Sequence, residues 1–457
     1  MKRSTMIRNM YLMVFLVASL SFRGSFCQNS EFRPVDDVFK LMEIVTEKNI
    51  DPLWPGFDVL EIPLLVYDSV CTWAFNLEVM PEGFTSVAGH PGVWVYDGQH
   101  PVVRGNSVAM LGGVRVATSI LSTQSRRTGE KYSSEDLAGI IIHEQFHVFQ
   151  KSRFPHWMQN DGLLLVYPPE TEHTLFLRRM EREAFRRAVV SEDEFAMCGW
   201  VMEAIKYREL RLSMIDPVFR QYEMELQRTE GLSDYIEKTA RDLGPLDSSE
   251  ITDGIAPAGI RDLGYVEGRW IAMVLDKISP QWKGLFENDG NLYLEEILRQ
   301  VVGEPRCDVK NFTDAELDIY TREAADDLMK SGTKKALEAE QYKALGGFSL
   351  EIDAISNPLA IRIFEPLAFE MLDDGSLYHK IIFSAVNDAG NLRIIDQACV
   401  TWFDNMLGVE RIVINGINEL PGYIGDEKRF VLKNKNIDID LGYTSMSIEN
   451  SLIRIEL

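Results

Sequence analysis

Cysteine is scarce in this chain of 457 residues: five in all, at positions 27, 71, 198, 307 and 399, with no two close together. Such spacing excludes a small disulfide scaffold and a cysteine-paired metal finger, while leaving room for one or two bridges outside the cytoplasm. Basic residues are outnumbered, 47 against 70 acidic, for a formal net charge of −23. A surface of that sign repels nucleic acid and anionic lipid, so neither is expected as a partner. No apolar run after the first twenty residues is long enough to read as a membrane span. Internal repeats and low-complexity segments are missing as well, so nothing supports a solenoid or a disordered linker.

The one early apolar run, Met10 to Leu20, follows Lys2, Arg3 and Arg8 and leads into a more polar stretch. It is short for a span and reads as a signal peptide, residues 1–27, with cleavage expected near Cys27–Gln28 and a secreted or periplasmic destination. Its loss removes four basic and no acidic residues, taking the formal charge to −27.

Histidine is rare too, with seven in the chain, yet two stand four apart in His143-Glu144-x-x-His147. The surrounding run, 133–152, reads as a helix: Ser133 and Asp136 form a cap, Pro155 closes the far end, and Ile140 to Ile142, Phe146 and Phe149 supply a buried face. On a helix, residues four apart share a face, so the two imidazoles can bind one Zn²⁺ and Glu144 is placed as a general base toward solvent. The ordinary alternative is a pair of core histidines. A charged Glu144 in so apolar a run argues against it.

A third ligand is sought further along. Residues 171–190, 201–212 and 217–242 read as helices. The last contains Glu230-Gly231-Leu232-Ser233-Asp234, with two carboxylates four apart. Glu230 can complete a His-His-Glu set, and Asp234 can accept the free N–H of a ligand histidine and fix its tautomer. Gly231 weakens the helix but permits a close crossing. Glu181 competes for the ligand role, because it sits on an otherwise apolar face with Leu177, Phe185 and Ala188; its ordinary reading is a partner for an arginine.

His143-Glu144-x-x-His147 followed by Glu230-x-x-x-Asp234 resembles the gluzincins, the thermolysin-like zinc metallopeptidases, in which a later helix supplies a glutamate ligand and a supporting aspartate. Here 82 residues separate His147 from Glu230, a long gap similar to that of glycyl aminopeptidase-like members. Tyr265 in Gly264-Tyr265-Val266-Glu267-Gly268 matches a helix-start tyrosine that in such families binds the oxyanion of the tetrahedral intermediate. Position 267 is Glu where Lys is frequent in those relatives. The Gly-Ala-Met-Glu-Asn signature of the aminopeptidase N type is absent, so that assignment is not implied.

The expected fold is α+β. A zincin-like catalytic region would comprise a sheet-bearing part, 28–125, and a mainly helical zinc-binding part, 126–345. An all-β, sandwich-like domain, 346–457, would follow, because Gly346-Gly347 opens a run of short alternating strands and turns. Strand 107–111 is a candidate for holding an extended peptide beside the site. The resemblance implies a secreted zinc hydrolase acting on a peptide or protein substrate, with Glu144 and Tyr265 catalytic, His143, His147 and Glu230 on zinc, and Asp234 behind them. Two alternatives remain open: a non-catalytic extracellular binding protein on a zincin scaffold, and a zinc hydrolase of non-peptide amides.

Overall fold

The computed structural model describes residues 38–48, 53–122, 131–243, 259–302, 307–404, 408–418 and 428–457. The expected signal peptide lies outside the described residues, and among them no helix is long and apolar enough to cross a membrane. Helix α1 (Val38–Glu47) leads into a six-stranded sheet of β1 (Leu64–Tyr67), β2 (Cys71–Phe75), β3 (Thr85–Ser86), β4 (Trp94–Asp97), β5 (Ser107–Leu111) and β6 (Val114–Ile120). Its order is β3-β4-β2-β1-β6-β5, with β1 and β6 parallel and every other pair antiparallel. Strand β5 is an outer strand, joined to β6 by a turn at Gly112 and Gly113, both with positive φ.

Helix α2 (Ser134–Arg153) packs beneath that sheet on β6 and β5. Its first turn is held by a reciprocal cap: Ser133 Oγ accepts the Asp136 amide while the Asp136 carboxylate accepts the Ser133 amide. Ile141, Ile142 and Phe146 are fully buried. Each such side chain contributes about 1.5–3 kcal/mol on leaving water, enough together to hold the helix down although it carries a buried Glu144.

The helical region continues with α3 (Glu172–Val190), α4 (Glu194–Leu212), α5 (Pro217–Leu226), α6 (Leu232–Ala240), α7 (Ile260–Ile278), α8 (Lys283–Asn288), α9 (Leu294–Val302) and α10 (Asp314–Lys343). Helix α4 begins at Glu194, not at 201, because the Asp193 side chain caps it by accepting the Ala196 amide. A disulfide joins Cys198 of α4 to Cys307.

Glycine decides how α5, α6 and α7 cross. A Cβ on Gly268 would lie 2.5 Å from Gln227 O and 2.7 Å from Gly231 Cα, and one on Gly231 would lie 2.6 Å from Gly268 Cα. Those are backbone atoms with no side chain to swing aside, so the helices touch only because neither residue carries one. Tertiary packing therefore outweighs the helix-weakening effect of Gly264 and Gly268, and α7 starts at Ile260, not after Gly264. Gly268→Ala should destabilise the fold by about 1–3 kcal/mol, the usual range for overpacking. Urea unfolding measures it; an unchanged midpoint would mean that the helices can part without cost.

From Phe348 the chain is all β. Strands β7 (Phe348–Asp353), β8 (Ala360–Phe364), β9 (Phe369–Met371), β10 (Leu377–His379), β11 (Ile382–Asn387), β12 (Gly390–Ile395), β13 (Cys399–Phe403), β14 (Val409–Ile417), β15 (Arg429–Lys433), β16 (Ile437–Gly442), β17 (Ser445–Glu449) and β18 (Leu452–Glu456) form two sheets. Their orders are β17-β18-β7-β14-β13-β10-β9 and β15-β16-β12-β11-β8. Both sheets feed one core that includes Leu350, Phe383, Leu392, Ile412 and Ile439. Helix α10 ties this unit to the rest: the Tyr342 hydroxyl donates to Val413 O at 2.7 Å and accepts the Asn415 amide at 3.0 Å.

Candidate metal centre

The chain between α5 and α6 widens into one π-helical turn, Gln227–Gly231. Such turns are rare and occur disproportionately at functional sites. This one carries Glu230 and, through the glycine crossing, lies against α7. Helix α2 packs on the other side, against α6. The arrangement brings His143, His147 and Glu230 together, so that one ligand atom from each lies within 4.8 Å of the others.

The donor atoms face one another. His147 Nε2 is 3.1 Å from His143 Nε2 and 3.1 Å from Glu230 Oε2, while His143 Nε2 is 3.6 Å from the same oxygen. Around a tetrahedral zinc with ligand bonds near 2.0–2.1 Å, donor atoms stand about 3.3 Å apart. The observed triangle has edges on either side of that value, so the residues fit such an ion.

What holds each ligand also fits. The Gln150 side-chain amide donates to Thr229 O at 3.0 Å, which turns its Oε1 toward His147 Nδ1 at 2.9 Å. An acceptor there fixes the proton on Nδ1 and leaves the Nε2 lone pair for a metal. Glu230 Oε1 accepts from Arg261 Nη2 at 2.7 Å and from Gln159 Nε2 at 2.9 Å, leaving Oε2 toward the imidazoles. Arg261 is gripped in turn by Asp161, and Asp161 accepts from the Tyr222 hydroxyl at 3.0 Å. Burial alone would lower the His143 pKa, yet Glu230 and Glu237 hold it well above the usual histidine range. Burial alone would raise the Glu230 pKa, yet the two imidazoles and Arg261 hold it well below.

The support expected from Asp234 is supplied by a different residue. Asp234 pairs with Arg269 at 2.9 Å. Glu237, a turn further on, places Oε2 3.4 Å from His143 Nδ1, close enough for an ion pair though not aligned as a hydrogen bond. Arg269 of α7 takes up the Asp234 carboxylate, and Glu237, seven residues after Glu230 and so on the same face of the helix, is left beside His143. Glu181 is not a ligand either: it is fully buried, with one oxygen 2.7 Å from Arg208 Nη1 and the other 2.7 Å from Arg211 Nε. Its ordinary reading as an arginine partner is the observed one.

Glu144 is buried beside the histidines, and burial raises its pKa against the pull of both imidazoles. Tyr265 sits in the second turn of α7, its ring nearly parallel to that of His143 with centroids 5.9 Å apart. Burial, then the Glu230 carboxylate, keeps its hydroxyl protonated well beyond the usual tyrosine range, so it remains a donor. Glu267 faces away, into the arginine cluster, accepting from Gln227 Nε2 at 2.8 Å. The chain matches no family model, no curated protein and no solved structure. Sequence reasoning passed over Gln150, Gln159, Arg261 and Glu237. Gln150 alone left a signal, standing three residues after His147 on the same helix.

Proposed function

We propose that the protein is a zinc-dependent hydrolase of gluzincin type that cleaves peptide bonds outside the cytoplasm. The donor triangle of His143, His147 and Glu230, with edges of 3.1, 3.1 and 3.6 Å, is the observation that carries the proposal. A His₂Glu set leaves one position open in a catalytic zinc site, in contrast to the closed four-ligand structural kind. The bound metal would supply Lewis acidity toward the scissile carbonyl and make solvent nucleophilic at neutral pH. Glu144 takes the proton from the attacking water and hands it to the leaving amine. Tyr265 donates its hydroxyl to the oxyanion that forms. Gln150, Gln159, Arg261 and Glu237 keep the ligands aimed.

Strand β5, open on its outer side and packed on α2, offers backbone groups on which an extended substrate can lie. The Cys198–Cys307 disulfide suits an oxidising compartment and supports secretion. Metal analysis together with digestion of a mixed peptide library tests the reading: stoichiometric zinc and cleavage abolished by a chelator are expected, and zinc-free protein would overturn it. Tyr265→Phe should lower kcat about 10²-fold, as loss of one oxyanion donor does elsewhere, with zinc content unchanged. Normal turnover would remove Tyr265 from the chemistry.

A further inference from the structure

The β unit contributes a wall to a groove linked to the candidate centre through Asp161 and Arg261. The groove has a volume of about 620 Å³ and is lined by Asp161 and Leu165 on one side and by Ile361, Arg362, Ile363 and Phe364 on the other. Asp161 belongs to both places: it lines the groove and grips Arg261, which donates to the metal-facing carboxylate of Glu230. The groove is thus two side chains away from a ligand.

Its far wall is β8, the outermost strand of the five-stranded sheet, paired to β11; Leu359, just before it, exchanges backbone hydrogen bonds with Val409, and among the described residues no strand pairs with the other edge of β8 itself. An outer strand that is apolar is normally blunted by charge or covered, because it invites pairing. Here Ile361, Ile363 and Phe364 are half-buried along the groove. The Leu359–Val409 bridge at one end and Pro366 at the other limit any added pairing to residues 360–365. Strand-edge pairing supplies affinity from main-chain bonds, with side-chain preference set by the flanking pockets. Arg362, set apart by a register shift in the β8–β11 pairing, is exposed and, among the described residues, is the one basic side chain lining the groove.

We infer that β8 is a substrate subsite: an extended stretch of a long polypeptide, apolar at alternate positions and with an acidic group opposite Arg362, adds to this edge while its scissile bond lies at the zinc. The inference rests on the proposed peptidase reading and makes flexible polypeptides, not short peptides, the preferred substrates. The β unit is then part of the binding apparatus.

The test uses the zinc-loaded full chain and a 12-residue Val/Ile/Thr peptide with one glutamate, against a four-residue version. The long peptide should show a KM about tenfold lower at similar kcat, and Ile363→Asp should remove that advantage without changing the short peptide's kinetics. Binding to Glu144→Gln gives a second measurement that does not depend on the β8 variant folding. The long peptide should bind about tenfold more weakly once alternate backbone nitrogens on the pairing edge are methylated, whichever of the two alternating sets that proves to be. Equal KM for both lengths, or tight binding by both methylated forms, overturns the subsite. A dimer broken by Ile363→Asp also overturns it, because β8 is then covered by a second copy. Failure of the peptidase reading looks different: neither peptide is cut, whatever binds.

Discussion

Glu230→Ala should strip the protein of its zinc, whereas Glu181→Ala should leave zinc stoichiometric and weaken the fold. The two carboxylates have similar burial, 5% and 0% exposed, so burial does not separate them. Their partners do. Glu230 keeps Oε2 turned to two imidazoles and has Oε1 fixed by Arg261 and Gln159. Removing supporting groups around a metal already costs about 10–100-fold in affinity, so losing a ligand should cost at least that much. Glu181 spends both oxygens on Arg208 and Arg211. Deleting it leaves two buried guanidinium groups short of a partner, a change that costs about 3–5 kcal/mol where buried pairs are broken. Metal analysis after dialysis, with urea unfolding of both variants, separates the effects. Full zinc in Glu230→Ala would dissolve the centre described above.

The contrast also shows where sequence was informative. His143 and His147 lie four apart in an unbroken α-helix whose cap was readable from Ser133 and Asp136, so their shared face followed from helical geometry. Glu230 was a candidate because it could complete a His-His-Glu set in the pattern of the resembled family, and the structure places it beside both histidines. The second carboxylate was misassigned because Arg269, from a helix distant in sequence, takes up Asp234 and leaves Glu237, a turn further on, beside His143. Tyr265 was expected at a helix start, yet α7 begins at Ile260, as glycines that weaken an isolated helix here make its packing feasible. Arg261 and Gln159 were out of reach because their roles depend on contacts with a residue distant in sequence. In the β unit the alternating pattern was readable, but β8 as an outer strand was not, since strand order comes from long-range pairing.

Glu144→Gln should abolish most turnover, by about 10²–10⁴-fold, while zinc content and stability stay at wild-type values. The substitution keeps the shape and removes the charge together with the capacity to carry a proton. Zinc should be retained because the donor triangle is complete without Glu144. Stability should not fall, because a buried carboxylate costs solvation energy that a neutral amide largely escapes. That cost is the deeper argument for function. Glu144 lies on a helix whose neighbours Ile141, Ile142 and Phe146 are fully buried, and burial pushes its pKa up. A protein that only needed a metal to fasten two helices would gain by replacing this residue with leucine. Retaining an ionisable group there is explicable if it must take up and release a proton during each turnover, and a pKa moved toward neutrality suits that exchange. Parallel assays of zinc content, unfolding midpoint and peptide cleavage on wild type and Glu144→Gln decide it: unaltered cleavage would assign the proton transfer to another group, and lost zinc would make Glu144 a ligand.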